Sequence, residues 1–275
     1  MLGLHTKLTG AKILPLECKD EEIQEGDVVH LETPVNPTGE AFEIRKYAEK
    51  AHRRGAWLLV DATFGPPGLQ DPFLWGADVV MHSGTKYIGG HSDMLCGVLA
   101  TKNEDWMKGL KEERIYLGSV MGSLEGWLGV RSLRTLEVRV SRQSTNCEQL
   151  VRWLDGLARE KGGFGEVVER VHHASLQHGD MEWLKKQMPN GFGPVFAVTM
   201  KDEAMARRLP SKLELFHHAT SLGGVESLIE WRAMSDKTVD RRLLRVSVGL
   251  ENWEDLKNDL LQGFRGLLDE KSTKQ

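Results

Sequence analysis

The sequence predicts an α/β fold: a domain on a parallel-rich sheet, then a C-terminal α+β domain. Three observations predict it. Ala56-Trp57-Leu58-Leu59-Val60-Asp61 is a continuous apolar run closed by an acid, the pattern of a parallel strand buried on both faces. A helical stripe lies between this run and an earlier β-favouring run, and strand, helix, strand in succession is the α/β unit with right-handed crossovers. Beyond residues 135–145 the pattern changes to strands mixed with long helical stripes, which sets the domains at 1–138 and 139–275.

Each element has its own reason. Asp27–Glu32 is short and β-favouring, and the prolines of Thr33-Pro34-Val35-Asn36-Pro37-Thr38-Gly39 forbid a helix after it. Ile44, Tyr47, Ala48 and Ala51 fall at i, i+3, i+4, i+7, one face of a helix that Gly55 can stop. Asp78–Ser83 and Leu95–Ala100 read as further strands. Leu124–Glu160 reads as mostly helical, with one stripe through Leu124, Trp127, Leu128, Leu133, Leu136 and Val140 and another through Leu150, Trp153, Leu154 and Leu157. Val195–Thr199, Leu213–Phe216 and Leu243–Val248 read as strands. A closing helix carries Leu256, Leu260, Phe264 and Leu267 on one face, with Asn252 as its N-cap.

Composition narrows the function classes. Lys+Arg is 36 against 40 Asp+Glu, a net charge of -4, without the basic excess of a nucleic-acid binder. No apolar run approaches the ~18 residues of a membrane span, and the apolar stretch at the N-terminus is too short for a signal peptide. Cys18, Cys96 and Cys147 are far apart, form no C-x-x-C pair, and suit a reducing compartment. His82, His91, His172 and His173 have no second ligand at metal spacing and read as packing or surface residues. The expectation is a cytoplasmic protein with no metal, nucleic-acid or membrane partner.

The most informative segment is His82-Ser83-Gly84-Thr85-Lys86-Tyr87-Ile88-Gly89-Gly90-His91-Ser92-Asp93. It follows a strand, where α/β sheets place their ligands. Ser83 and Thr85 can donate to phosphate oxygens, and Gly84 lets the backbone come close. The order of residues excludes a P-loop. Lys86, beside a turn, can be desolvated and serve as an amine nucleophile; the alternative is a solvated surface lysine. Asp61 closes a strand at the same sheet edge. It is either a turn former or a carboxylate that keeps a pyridine nitrogen protonated.

Glu32–Thr38, Val60-Asp61-Ala62-Thr63-Phe64, Ser83–Asp93, Ser221-Leu222-Gly223-Gly224-Val225-Glu226-Ser227 and Leu244–Glu251 occur in that order over essentially the whole chain. Together they resemble the transsulfuration (Cys/Met metabolism) family of pyridoxal-phosphate enzymes, of the cystathionine γ-lyase and γ-synthase type. The resemblance implies the pyridoxal-phosphate transferase fold type I and pyridoxal 5'-phosphate as cofactor. It implies that Lys86 bonds to the cofactor and later moves protons, that Asp61 faces the pyridine nitrogen, and that Ser83 and Thr85 bind the phosphate. Asn36 would lie near the cofactor's phenolic oxygen and the substrate carboxylate, Arg245 would clamp that carboxylate, and Ser221 would sit near Lys86 and the carboxylate. Without the family, Asn36 reads as a turn residue and Arg245 as half of an ion pair. The implied reaction is carbon–sulfur lysis or γ-replacement on a small amino acid such as cystathionine or an O-acyl-homoserine, by a homo-oligomer, dimer or tetramer.

The pattern departs in places. The family carries an N-terminal arm, a glycine-containing phosphate loop and a ring-stacking tyrosine ahead of the segment matching residues 11–33. Nothing before Ile13 supplies these, and Tyr47, Tyr87 and Tyr116 stand in no matching context. The reading is an N-terminally truncated member whose large-domain sheet leaves apolar surface uncovered. An impaired paralogue acting through a full-length homologue is the alternative, and an aminotransferase-like member a third. Ala62 replaces a common asparagine, and Thr220 stands where some members have glutamate.

Overall fold

The computed structural model describes residues 2–272. Its N-terminal half has α1 (Leu2–Thr9), β1 (Val28–Glu32), α2 (Ile44–His52), β2 (Trp57–Asp61), β3 (Val79–Ser83), β4 (Gly97–Thr101), α3 (Glu104–Tyr116) and α4 (Ser123–Leu133). The first sheet has the order β1-β2-β3-β4; the first three strands are parallel and β4 is antiparallel to β3. Ile44, Ala48 and Ala51 of α2 pack on Leu31, Leu58, Val60 and Val80, so the helical stripe read from the sequence is the buried face.

The other face of this sheet is only half covered. The run Ala56–Asp61 is therefore buried on one face, not two: Leu58 and Val60 are fully buried, while Trp57 is 41% exposed. Alternation from the pleat sends Leu59 and Asp61 to the open side.

The C-terminal half has α5 (Leu136–Ala158), β5 (Val168–His172), α6 (Met181–Gln187), β6 (Val195–Met200), α7 (Glu203–Arg208), β7 (His217–His218), β8 (Leu228–Trp231), β9 (Leu243–Ser247) and α8 (Trp253–Ser272). Its sheet has the order β5-β6-β9-β8-β7, antiparallel except for the β7–β8 pair. Leu150 and Leu154 of α5 and Leu256, Leu260, Phe264 and Leu267 of α8 bury against Phe196, Val198, Leu244 and Val246. The Asn252 carboxamide accepts the Glu254 N–H at 3.0 Å, as a cap does.

One further expectation is corrected here, and the helical reading of Leu124–Glu160 holds with a break. Leu213–Phe216 is not a strand: the N–H groups of Glu214, Leu215 and Phe216 all donate to the buried Asp259 carboxylate on α8, at 2.9, 2.8 and 3.3 Å. A strand would have sent alternate N–H groups to opposite sides. The helical stretch from Leu124 breaks between α4 and α5, and the α4 part of the stripe faces outward, with Leu124, Trp127 and Leu133 each more than half exposed.

A third apolar cluster lies between the halves, with Ala41, Phe64 and Tyr87 against Leu136, Val140, Leu184, Val195 and Leu222. Buried amides reinforce it. Gln187 accepts the Ile44 N–H at 2.9 Å and donates to Phe42 O at 2.9 Å and to Gln70 Oε1 at 3.1 Å. Gly39, at φ +71°, sits so close to β6 that a Cβ would lie 2.2 Å from Val195 O. The loop after β1 is thus seated on the C-terminal sheet.

Candidate active site

Glu32, Asp61 and Ser83 end the three parallel strands β1, β2 and β3. Carboxyl ends of parallel strands are where such sheets bind ligands. The turn that follows β3 presents Lys86. The Lys86 N–H donates to Ser83 O at 3.1 Å, and its carbonyl accepts the Gly90 N–H at 2.6 Å. Arg139 of α5 fastens this turn, donating to Tyr87 O at 2.9 Å, Ser132 O at 3.0 Å and Thr135 Oγ1 at 3.1 Å. Gly90 is at φ +68°, and any Cβ there would meet the Arg139 guanidinium at 1.9 Å.

A closed circuit of contacts joins the candidate residues. Lys86 Nζ donates to Ser221 Oγ at 3.3 Å. Ser221 O accepts from Arg245 Nη2 at 3.0 Å, and Arg245 Nη1 donates to Asn36 Oδ1 at 3.3 Å. The Asn36 N–H donates to Glu32 Oε1 at 3.2 Å. Glu32 is the register partner of Asp61 on the adjacent strand. Asp61 Oδ1 accepts from the Thr63 N–H at 3.0 Å and the Thr63 hydroxyl at 2.6 Å, and Thr63 Oγ1 in turn accepts the Ser83 N–H at 2.9 Å. Ser83 O receives the Lys86 N–H and closes the circuit.

Lys86, Asp61, Ser83, Asn36, Ser221 and Arg245 are therefore brought together. Thr85 is one residue from Lys86, but its hydroxyl accepts the Cys96 N–H at 3.1 Å and donates to Cys96 O at 3.4 Å. That hydroxyl reaches an outside oxygen only by letting go of Cys96. The Cys96 sulfur packs over Gly84, where a Cβ would lie 2.1 Å from it, so only glycine fits between the two hydroxyl residues.

Electrostatics set the two ends of the circuit apart. Burial lowers the Lys86 pKa, and the Arg245 charge lowers it further, so a larger share of the amine is unprotonated near neutrality. Burial pushes the Glu32 carboxyl up to about 7, the Asn36 N–H opposes this, and Asp61 adds to it. Burial lowers the His82 pKa against the pull of Asp61. Arg245 is 3% exposed and pairs with Glu230, 1% exposed, at 2.7 Å. Its Nη2 also donates to Thr220 O. Glu230 is held in turn by Arg232 at 3.1 Å and by the Ser235 hydroxyl.

Sequence reasoning assigned no role to Glu32, Thr63, Arg139 or Glu230. Thr63 carried a signal, since Asp-x-Thr puts a hydroxyl within reach of the aspartate. Arg139 and Glu230 carried none, because the partners that tie them to the site, Tyr87 and Arg245, are distant in sequence.

The donor set suits an aldehyde-bearing pyridine phosphate. Among the described residues, Asp61 Oδ2 and the Ser83 hydroxyl make no hydrogen bond, and Lys86 Nζ makes one. They are a free carboxylate oxygen, a free hydroxyl donor and a half-desolvated amine at one sheet edge.

Comparison with known proteins agrees. A family profile described as Cys/Met metabolism PLP-dependent enzyme matches residues 15–265. A cystathionine beta-lyase of Lactococcus lactis subsp. cremoris is 35% identical over 252 residues, 87% of this chain and 64% of the relative. A cystathionine gamma-synthase of Escherichia coli (strain K12) is 35% identical over 250 residues, 86% of this chain and 63% of the relative. The crystal structure of metB from Corynebacterium glutamicum superposes with a TM-score of 0.82 at 33% identity, covering 90% of this chain and 65% of that one. The chain thus spans a little under two thirds of the length of these relatives. The fold is that of the type I pyridoxal-phosphate enzymes, and the chain belongs to the Cys/Met metabolism PLP-dependent enzyme family.

Proposed function

We propose that the protein is a pyridoxal-phosphate-dependent transsulfuration enzyme, a carbon–sulfur lyase or γ-replacement enzyme acting on cystathionine or an O-acyl-homoserine. The observation that carries this reading is the closed circuit. It links an amine, a carboxylate with one free oxygen and a buried guanidinium at one sheet edge. Residues 1–138 hold the cofactor, and residues 139–275 bring Ser221 and Arg245 over it.

When bound, the cofactor supplies an aldehyde that captures amines and a cationic ring that withdraws electrons from the substrate α-carbon. Lys86 would hold the cofactor, and as a free amine its lowered pKa suits it to take the α-proton and return it. Asp61 would offer its free oxygen to the ring nitrogen, and Thr63 keeps the carboxylate oriented. The Ser83 hydroxyl, and the Thr85 hydroxyl if it turns from Cys96, donate to phosphate. Arg245 binds the substrate carboxylate with its planar fork, and Asn36 holds that fork in line. Ser221 takes a hydrogen bond from Lys86 Nζ and steers the amine.

The test is covalent mapping. The full chain is incubated with pyridoxal 5'-phosphate, reduced with borohydride and digested. The expected result is one dominant modified peptide, containing Lys86, and 2-oxo acid release from cystathionine before reduction. Label spread over the surface lysines would overturn the reading.

A homo-oligomer, dimer or tetramer, is part of the proposal. The exposed area is 15088 Å², against roughly 12,000 Å² for a compact monomer of this mass. Tyr116, Leu117, Val120, Leu124, Trp127 and Val130 are each more than half exposed along one stretch, more apolar surface than a monomer carries without cause. Sedimentation equilibrium should give a multiple of 30.9 kDa, and a monomer at micromolar concentration would refute this part. Among the described residues no helix is long and apolar enough to cross a membrane. The free Cys18, Cys96 and Cys147 fit a cytoplasmic location.

A further inference from the structure

Glu32 has no place in the chemistry described above, yet it ends the strand beside Asp61. In-register residues of adjacent parallel strands point to the same face and lie about 4.8 Å apart. Two carboxyl groups so placed do not both ionise readily; one keeps a proton. The hydrogen bonds say which. Asp61 receives two donors from Thr63, whereas Glu32 receives one, the Asn36 N–H at 3.2 Å. Its other oxygen, Oε2, has no hydrogen-bond partner among the described residues.

We propose that Glu32 is a proton-storing partner of Asp61, protonated while no cation stands against Asp61 and ionised when a cationic pyridine nitrogen sits there. Glu32 acts through Asp61 and is a positioning residue. The inference rests on the functional reading above, since the cation is the cofactor's ring nitrogen. Burial and the Asp61 charge both raise the Glu32 pKa, to about 7, in keeping with this geometry. A positive charge arriving at Asp61 cancels the second of these effects and lowers the Glu32 pKa. Cofactor binding then releases a proton near neutral pH. The proton leaves Glu32 Oε2 for solvent, and no other bond changes.

The other charged groups around the pocket do not take this role. His82 on β3 has a pKa lowered by burial and is neutral at pH 7. Lys86, after β3, is cationic or neutral and lies across the circuit at Ser221. Arg245 on β9 reaches Glu32 only through Asn36 and is held by Glu230.

Infrared spectroscopy of the full chain tests the proposal, because a protonated carboxyl has a carbonyl band that a carboxylate lacks. Without cofactor, a band should fade as pH rises through about 7. It should be missing in Glu32→Gln, whose amide still accepts the Asn36 N–H. In Asp61→Asn its midpoint should move to lower pH, because the neighbouring charge is gone. Adding pyridoxal 5'-phosphate at about pH 6 should bleach the band in the wild type. A band that survives in Glu32→Gln, or no band in the wild type, overturns the stored proton. A band that titrates as expected but stays when the Lys86-bound cofactor absorbs in the visible overturns the coupling. If no cofactor attaches to Lys86 at any pH, the functional reading fails and the role toward the ring falls with it. The cofactor-free titration still decides the proton on Glu32.

Discussion

Lys86→Ala is expected to abolish the visible absorption of lysine-bound cofactor and to cut 2-oxo acid release by at least ~10²–10⁴-fold, the usual contribution of a positioned acid–base group. The loss should fall on kcat. Lys86 Nζ gives up one hydrogen bond, to a serine hydroxyl, and its backbone turn is held independently by Ser83, Gly90 and Arg139. The fold should therefore survive, with circular dichroism and urea midpoint close to wild type. Free cofactor should still bind non-covalently, since Asp61 and Ser83 are untouched. Absorption spectra with and without added small amines check this, because an external amine can replace the missing side chain in the capture step. A variant that keeps the wild-type spectrum would place the reactive amine elsewhere.

Arg245→Met should have the second largest effect, on both binding and stability. The Arg245–Glu230 pair is almost fully buried, and removing one member of such a pair costs about 3–5 kcal/mol. Arg232 remains on Glu230, so the low end of that range, about 3 kcal/mol, is expected in urea unfolding. Loss of a charge-assisted fork should also raise KM roughly 10- to 100-fold, at about 1.4 kcal/mol per decade. The two effects separate. Adding Glu230→Gln removes the stranded carboxylate and should recover most of the stability while KM stays high. The pH profile adds a third sign. The Arg245 charge lowers the Lys86 pKa, so without it that pKa rises and the acid limb of activity moves to higher pH. A variant with unchanged KM would remove Arg245 from substrate binding.

Much of the fold was legible because burial writes itself into periodicity. The α8 stripe Leu256, Leu260, Phe264 and Leu267 is buried throughout, and β1, β2 and β3 lie within the runs that predicted them. Elements without an apolar signature were not legible. The α3 helix has no buried residue, so its face leaves no pattern. The β5 strand, Val-Glu-Arg-Val-His, and β8, Leu-Ile-Glu-Trp, carry charges that long-range partners satisfy. Leu213–Phe216 misled because Asp259, some 45 residues later, takes its N–H groups. The site shows the same divide. Lys86 and Asp61 could be read as chemistry from their neighbours, whereas Asn36 and Arg245 needed the resemblance, since each has an ordinary structural reading. Glu230 and Arg139 became visible only with their contacts.

The Asn36–Arg245 bond joins residues 209 apart, one on the loop after the first strand and one on the last. At ~5–20 residues per second, a ribosome adds Arg245 roughly 10–40 s after Asn36. Lys86 itself follows Asn36, so for the 159 residues between Lys86 and Arg245, roughly 8–32 s at that rate, the lysine turn and Asp61 are made while Arg245 is not. The nascent chain therefore carries the Lys86 amine without its Ser221 and Arg245 neighbours until the segment that holds them is made.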